Sequence, residues 1–129
     1  MFTNIKRRPS DTVFSTYIRK RDGRCVLNRK CYKGVPRTIQ ELHCAHFHSR
    51  RKESVRFDPE NAVALCPACH IWVDSTVEGK IYFRAFMEER LGTKGLAMLD
   101  IRAEHLKKRD DVLDMLYCKQ LLSELEQNV

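Results

Sequence analysis

The chain has 129 residues, 43% of them hydrophobic and 32% charged, which predicts one globular domain over residues 1–129 and leaves too little chain for two cores. No apolar run approaches the roughly 18 residues of a membrane span, and the first ten residues lack the apolar centre of a secretory signal. No membrane partner is expected, and a cytoplasmic location is. The net charge of +7 is unevenly laid: residues 1–56 carry 15 Lys and Arg against 4 Asp and Glu, and the remainder 9 against 13. A basic front half predicts a polyanion partner, most commonly nucleic acid, against the plainer reading of a solvated charged surface.

Residues 1–10 are basic and patternless and read as a tail. Ser10 or Asp11 caps a predicted helix over 11–21, where Val13, Phe14, Tyr17 and Ile18 recur at helical spacing and Asp22-Gly23 gives the stop. Its polar face, Arg19, Lys20 and Arg21, suits either a phosphate backbone or water. Residues 24–37 read as a loop punctuated by Cys25, Cys31, Gly34 and Pro36, and residues 39–47 as a short strand. A polar, basic segment over 48–60 ends in the turn Asp58-Pro59-Glu60-Asn61, followed by a second strand over 62–65. Pro67 opens a helix to about residue 77, in the early position that proline favours.

The back third is predicted to be helical. Phe83, Phe86, Met87 and Leu91 mark one helix closed by Gly92, and Leu96, Met98, Leu99 and Ile101 mark a shorter one. Val112, Leu113, Leu116, Tyr117, Leu121 and Leu125 mark a longer one near the C-terminus. These stripes are expected to pack the core, with a homodimer face on the last helix as the alternative. The fold class is α+β.

Six cysteines without an export signal point to metal ligands or free thiols rather than disulfides. Structural Zn²⁺ takes four ligands in a tetrahedron, commonly two from each of two segments. Cys66-Pro67-Ala68-Cys69 is one half, and Cys25 with Cys31 is the natural second half, although Cys44 or His43 could replace one member. The competing reading of Cys66 and Cys69 is a redox pair, which the distant second pair disfavours. Cys118 reads as a small buried apolar residue.

Between the cysteines, His46 ends a strand, Asn61 follows a turn and His70 comes directly after Cys69. The pieces Ala45-His46, Asp58-Pro59-Glu60-Asn61 and Leu65-Cys66-Pro67-Ala68-Cys69-His70, in strand–loop–strand–helix order, resemble the HNH endonucleases, whose core is the ββα-metal motif. Within that superfamily the chain looks most like the NinG (Rap) recombination nucleases of lambda-like phages, over roughly residues 13–127. The resemblance implies a zinc/HNH core over 11–77, zinc-ribbon-like at its four-cysteine site, flanked by an N-terminal helix and braced by helices over 78–129. It also implies a phage or prophage origin and cleavage of DNA to 5′-phosphate and 3′-hydroxyl ends.

On that likeness His46 is the general base, since an imidazole titrates near neutral pH and can take a proton from water. Asn61 braces the loop that fixes His46, and His70 binds a catalytic divalent ion, Mg²⁺ or Mn²⁺. Many HNH enzymes carry Asp or His immediately before the base, where this chain has Ala45. Asp74, four residues after His70 on the same helix face, could share the ion, as could His48 if the strand continues past His46. For Asp74 the alternative is an exposed carboxylate; His48 could instead contact a phosphate, and His43 reads as structural. Arg50, Arg51, Lys52 and Arg56 are the candidate phosphate grip, and their neutralisation of DNA should make binding salt-dependent. The second reading of the whole is a catalytically inactive, zinc-containing DNA-binding module on the same fold, which the alanine at position 45 favours.

Overall fold

The structure, a computed structural model, describes residues 5–31 and 38–128. Residues 32–37, with Gly34 and Pro36 of the predicted loop, and the first four residues of the predicted tail lie outside the described residues. The architecture is α+β, with four helices and one two-stranded antiparallel sheet.

Helix α1 (Pro9–Asp22) starts slightly before its predicted caps, because Pro9 sits in the first turn, where a missing N–H breaks no helical bond. Asp11 therefore acts from inside the first turn, its carboxylate accepting the Arg8 backbone N–H at 2.7 Å. Strand β1 (His43–His46) is shorter than expected, since Ile39–Glu41 form a 3₁₀ turn instead of strand. Glu41 accepts from the Thr38 backbone N–H at 3.0 Å, a local side-chain bond that competes with extended pairing. Strand β2 (Ala62–Leu65) has the predicted bounds, and His43 pairs with Leu65, Ala45 with Val63 and His46 with Ala62.

Helix α2 (Pro67–Ser75) and helix α3 (Val77–Glu104) meet at a close joint, where a Cβ on Gly79 would collide with the Trp72 carbonyl. The two helices predicted on either side of Gly92 are the two arms of α3, broken there by a left-handed φ of 80° that glycine adopts readily. Helix α4 (Asp111–Gln127) closes the chain and packs along α1.

The sheet is the middle of three layers. Ala62 and Ala64 face α1 and α4, where they meet Phe14, Ile18, Leu42, Phe57 and Cys118. Val63 and Leu65 face α2 and α3, where they meet Val73, Phe83, Met87, Leu96 and Leu99. All four β2 residues are buried, which accounts for a continuous apolar run in place of the alternation of a half-exposed strand. The expectation that every apolar stripe fills the core fails in part for α3, where Met98 and Ile101 are exposed, and more widely for α4, where Val112, Leu113, Leu116 and Tyr117 are exposed and Cys118 is fully buried. One face of α4 meets α1, and its neighbouring face has nothing to cover it among the described residues. No described helix is long and apolar enough to cross a membrane.

Candidate metal centre and adjoining cleft

The Sγ atoms of Cys25, Cys31, Cys66 and Cys69 all lie within 4.8 Å of one another. Cys66 is the N-cap of α2, so its sulfur already faces the helix's free N–H groups and accepts from the Cys69 N–H at 3.4 Å. The loop after α1 brings the other pair: the Lys30 N–H donates to the Cys69 sulfur at 3.2 Å, and Val26 donates to the Ala64 carbonyl at 3.0 Å. Cys31 lies 3.4 Å from Cys66 and 4.0 Å from Cys69. Tetrahedral zinc with bonds of about 2.3 Å sets its sulfurs about 3.8 Å apart, so this group could hold such an ion.

The thiols' own electrostatics agree. Burial first, and then the neighbouring sulfurs, push Cys31 up strongly. Cys69 is pushed up to about 11 by burial, despite donation from backbone N–H groups. Burial opposes ionisation of Cys66 too, but the Cys69 N–H and the surrounding thiols outweigh it, so Cys66 is lowered. Without an ion among them Cys31 and Cys69 therefore keep their protons, and four thiolates this close would need a cation to hold them. Among the six cysteines no disulfide forms, and neither Cys44 nor His43 joins the cluster. Cys44 packs toward α1 and Cys118 lies between α1 and α4, and burial pushes each thiol up to about 12.

Beside this centre a cleft of about 1020 Å³ runs along β1 between α1 and α2. His43, His46, Arg50, His70 and Asp74 all line it, together with Arg7, Arg19 and Asp11. Asn61, fully buried, works behind the wall. Its Nδ2 donates to the His48 carbonyl at 2.9 Å and the Val55 carbonyl at 3.1 Å, and its Oδ1 accepts the His48 N–H at 2.8 Å. One amide thus ties both ends of the 48–55 loop to the start of β2.

His46 Nε2 lies 2.9 Å from the Arg56 carbonyl oxygen, which can only accept, so the ring proton is assigned to Nε2 and the lone pair to Nδ1. The ring also packs against Phe14, with centroids 5.7 Å apart. Burial lowers its pKa to about 4, although the Arg56 carbonyl bond pulls the other way, so the imidazole is neutral at pH 7. On α2, His70 Nε2 is 3.2 Å from Asp74 Oδ2, one helical turn apart as the sequence spacing implies. The other nitrogen of His70, Nδ1, lies 3.0 Å from Nδ1 of His43.

Two sequence-based placements are corrected. His48 does not extend the strand face of His46, because β1 ends at His46. Its Nε2 instead lies 2.8 Å from Asp100 Oδ1 on α3, whose other oxygen accepts from Arg84 at 2.7 Å. Arg56 is 4% exposed, and its guanidinium meets Asp11 at 2.6 Å and Glu53 at 3.3 Å, so it is a buried brace with no surface to offer a phosphate. Arg50 also reaches Asp11, at 3.5 Å, but lines the cleft, while Arg51 and Lys52 are exposed, Lys52 being 3.5 Å from Glu104. Arg19 and Arg21, whose face the sequence left open between a phosphate backbone and water, donate to the Ile39, Pro59 and Ala62 carbonyls and stitch α1 to the sheet.

Sequence reasoning missed the partnership of His43 with His70. Strand alternation carried a signal for it, since positions 43 and 45 share a face of β1, the face turned to α2. The pairing of Asp11 with Arg56, 45 residues apart, left no local signal at all. No family model, curated protein or solved structure matches the chain.

Proposed function

We propose that this chain is a metal-dependent DNA endonuclease of the HNH type, with the four-cysteine group as a structural zinc centre. One observation carries the reading: a neutral histidine on the cleft wall has one ring nitrogen bound to a backbone carbonyl, which leaves the other with its lone pair. That is the state a general base needs before it takes a proton from water.

In this reading a phosphodiester enters the cleft beside Arg50, Arg7 and Arg19, whose charges attract it. His46 Nδ1 accepts the proton of the water that attacks phosphorus, and the Nε2 bond to Arg56 keeps the ring from turning. The anionic phosphate beside the imidazole raises its pKa from about 4 toward neutrality, which strengthens the base when substrate is present. Asn61 holds the loop between the strands so that His46 keeps its place. A divalent ion, Mg²⁺ or Mn²⁺, bound at His70 would supply positive charge to the scissile phosphate and the departing 3′ oxygen. The His70 imidazole offers such an ion a ligand, and Asp74 Oδ2, 3.2 Å from its Nε2, lies at about the spacing of neighbouring ligands on one cation. Products with 5′-phosphate and 3′-hydroxyl ends, and a place in phage recombination or DNA processing, belong to the same proposal.

The test is nicking of supercoiled plasmid with Mg²⁺ or Mn²⁺. The wild type should nick, and His46→Ala should lower the rate by at least about a hundredfold, the scale of a general base, with zinc content unchanged. Undiminished nicking by that variant removes His46 from the role. One observation favours the second reading, an inactive DNA-binding module: Ala45 is 1% exposed and packed in the core, so position 45 offers no ligand. Salt-sensitive DNA binding with no cleavage under any divalent ion would select it.

A further inference from the structure

The cleft has an imidazole that the reading above does not use. His43 is exposed on β1, two residues before Ala45 and on the same strand face, and its ring stands edge-on to His70 with centroids 5.2 Å apart. The two Nδ1 atoms are 3.0 Å apart. Imidazole nitrogens at that separation share either a proton or a cation. Two neighbouring ligands each about 2.1 Å from one octahedral ion sit about 3 Å apart, so the spacing suits a metal. On its far side, His70 presents Nε2 to Asp74 at 3.2 Å. A carboxylate that accepts from the outer nitrogen of a histidine fixes its tautomer and leaves the inner nitrogen's lone pair for a metal.

We propose that His43 Nδ1 and His70 Nδ1 together hold the divalent ion of this cleft, and that Asp74 orients His70 from behind and is not itself a ligand. The proposal deepens the nuclease reading, on which the ion's catalytic role rests. It also supplies the ligand that Ala45 lacks: a donor displaced by one strand repeat reaches the same face of the sheet, because side chains at 43 and 45 point the same way. The bulk of position 45 then serves the core, where the alanine packs with Val63 and Val73. Zinc in the four-cysteine centre would be a separate ion, since the soft thiolates select zinc, whereas two imidazoles completed by water suit a transition ion such as Mn²⁺ better than Mg²⁺.

The experiment uses the full chain loaded with zinc and titrated with Mn²⁺, followed by electron paramagnetic resonance of free Mn²⁺ and by broadening of ¹⁵N-histidine ring signals. Mn²⁺ should broaden the rings of His43 and His70 first. His43→Ala, at an exposed position, should weaken Mn²⁺ binding by about a hundredfold without loss of zinc. Asp74→Asn, which keeps an oxygen to accept from His70 Nε2, should weaken it by less than about tenfold, the smaller end of an outer-partner effect. The proposal is overturned if wild type and His43→Ala are indistinguishable, whether both bind or neither does, or if Asp74→Asn alone abolishes binding. His43-dependent Mn²⁺ binding in a protein that cuts no DNA would uphold the site and remove the nuclease reading, so the two fail separately.

Discussion

On the ring of His46 one nitrogen is committed and the other is available, and the same burial that sets this up makes the protein sensitive to acid. The folded-state pKa of about 4 lies below the ordinary histidine value of 6.5, so the unfolded chain takes up the proton first as pH falls. Stability contributed by the neutral ring is intact above about pH 6.5 and is lost progressively as pH falls toward 4, by about 3 kcal/mol in total. His46→Gln, whose amide can still donate to the Arg56 carbonyl, should show a flatter loss over that window in denaturant titrations at stepped pH. An equal slope in both proteins would place the ring in a better-hydrated site than its contacts imply. His46, Asn61 and His70 stood out as candidates in the sequence by where they fall, at a strand end, after a turn and directly after Cys69. Their roles at atomic scale did not, since the choice of ring nitrogen depends on the carbonyl of Arg56, ten residues away.

At the scale of elements, the start of α2 does two jobs. Pro67 and the Cys66 cap define where the helix begins, and the same turn aims Cys66 and Cys69 at Cys25 and Cys31. Zinc should therefore be present at about one ion per chain by elemental analysis. Cys66→Ser keeps an N-cap acceptor, so a simple cap exchange would cost at most about 1 kcal/mol. Loss of the ion should destabilise the chain well beyond that and disorder the loop after α1, read by thermal unfolding and by chelator sensitivity. A Cys66→Ser protein that retains both zinc and wild-type stability would refute the four-cysteine assignment. Elsewhere the punctuation of elements was legible: Pro67 opens α2, and Gly92 breaks α3 through a left-handed backbone. The burial of α4 was not, because a stripe with helical spacing reads alike whether a neighbour covers it or not.

Across the whole molecule, an ionic network centred on the buried Arg8, Asp11 and Arg56 locks the N-terminal segment to the loop that carries the site. Asp11 receives Arg56 at 3.0 and 2.6 Å, Glu53 joins Arg56 to Arg8, and Arg8 reaches on to Asp111 in α4 at 3.1 Å. Burial alone would raise the Asp11 pKa, but the Arg56 hydrogen bonds and charge outweigh it, so the carboxylate is held below its ordinary value. Asp11→Ala leaves a buried guanidinium without its main partner and should lower unfolding stability by about 3–5 kcal/mol, measured by urea titration at pH 7. A loss under about 1 kcal/mol would mean that water enters and solvates Arg56. Because Arg56 also supplies the carbonyl that holds His46, the network couples the stability of the N-terminal segment to the geometry of the cleft.

By itself the sequence determined the element order, the grouping of the cysteines into two pairs, the apolar β2 and the concentration of positive charge in the front half. Each is local, written in spacing, turn chemistry and composition. The tertiary structure decided which polar groups meet. It buried Arg56 against Asp11, turned His48 to Asp100, and set His43 beside His70. Those choices depend on how two helical layers close over a sheet only four residues long, and contacts between residues 27 to 52 positions apart have no period for a sequence to display.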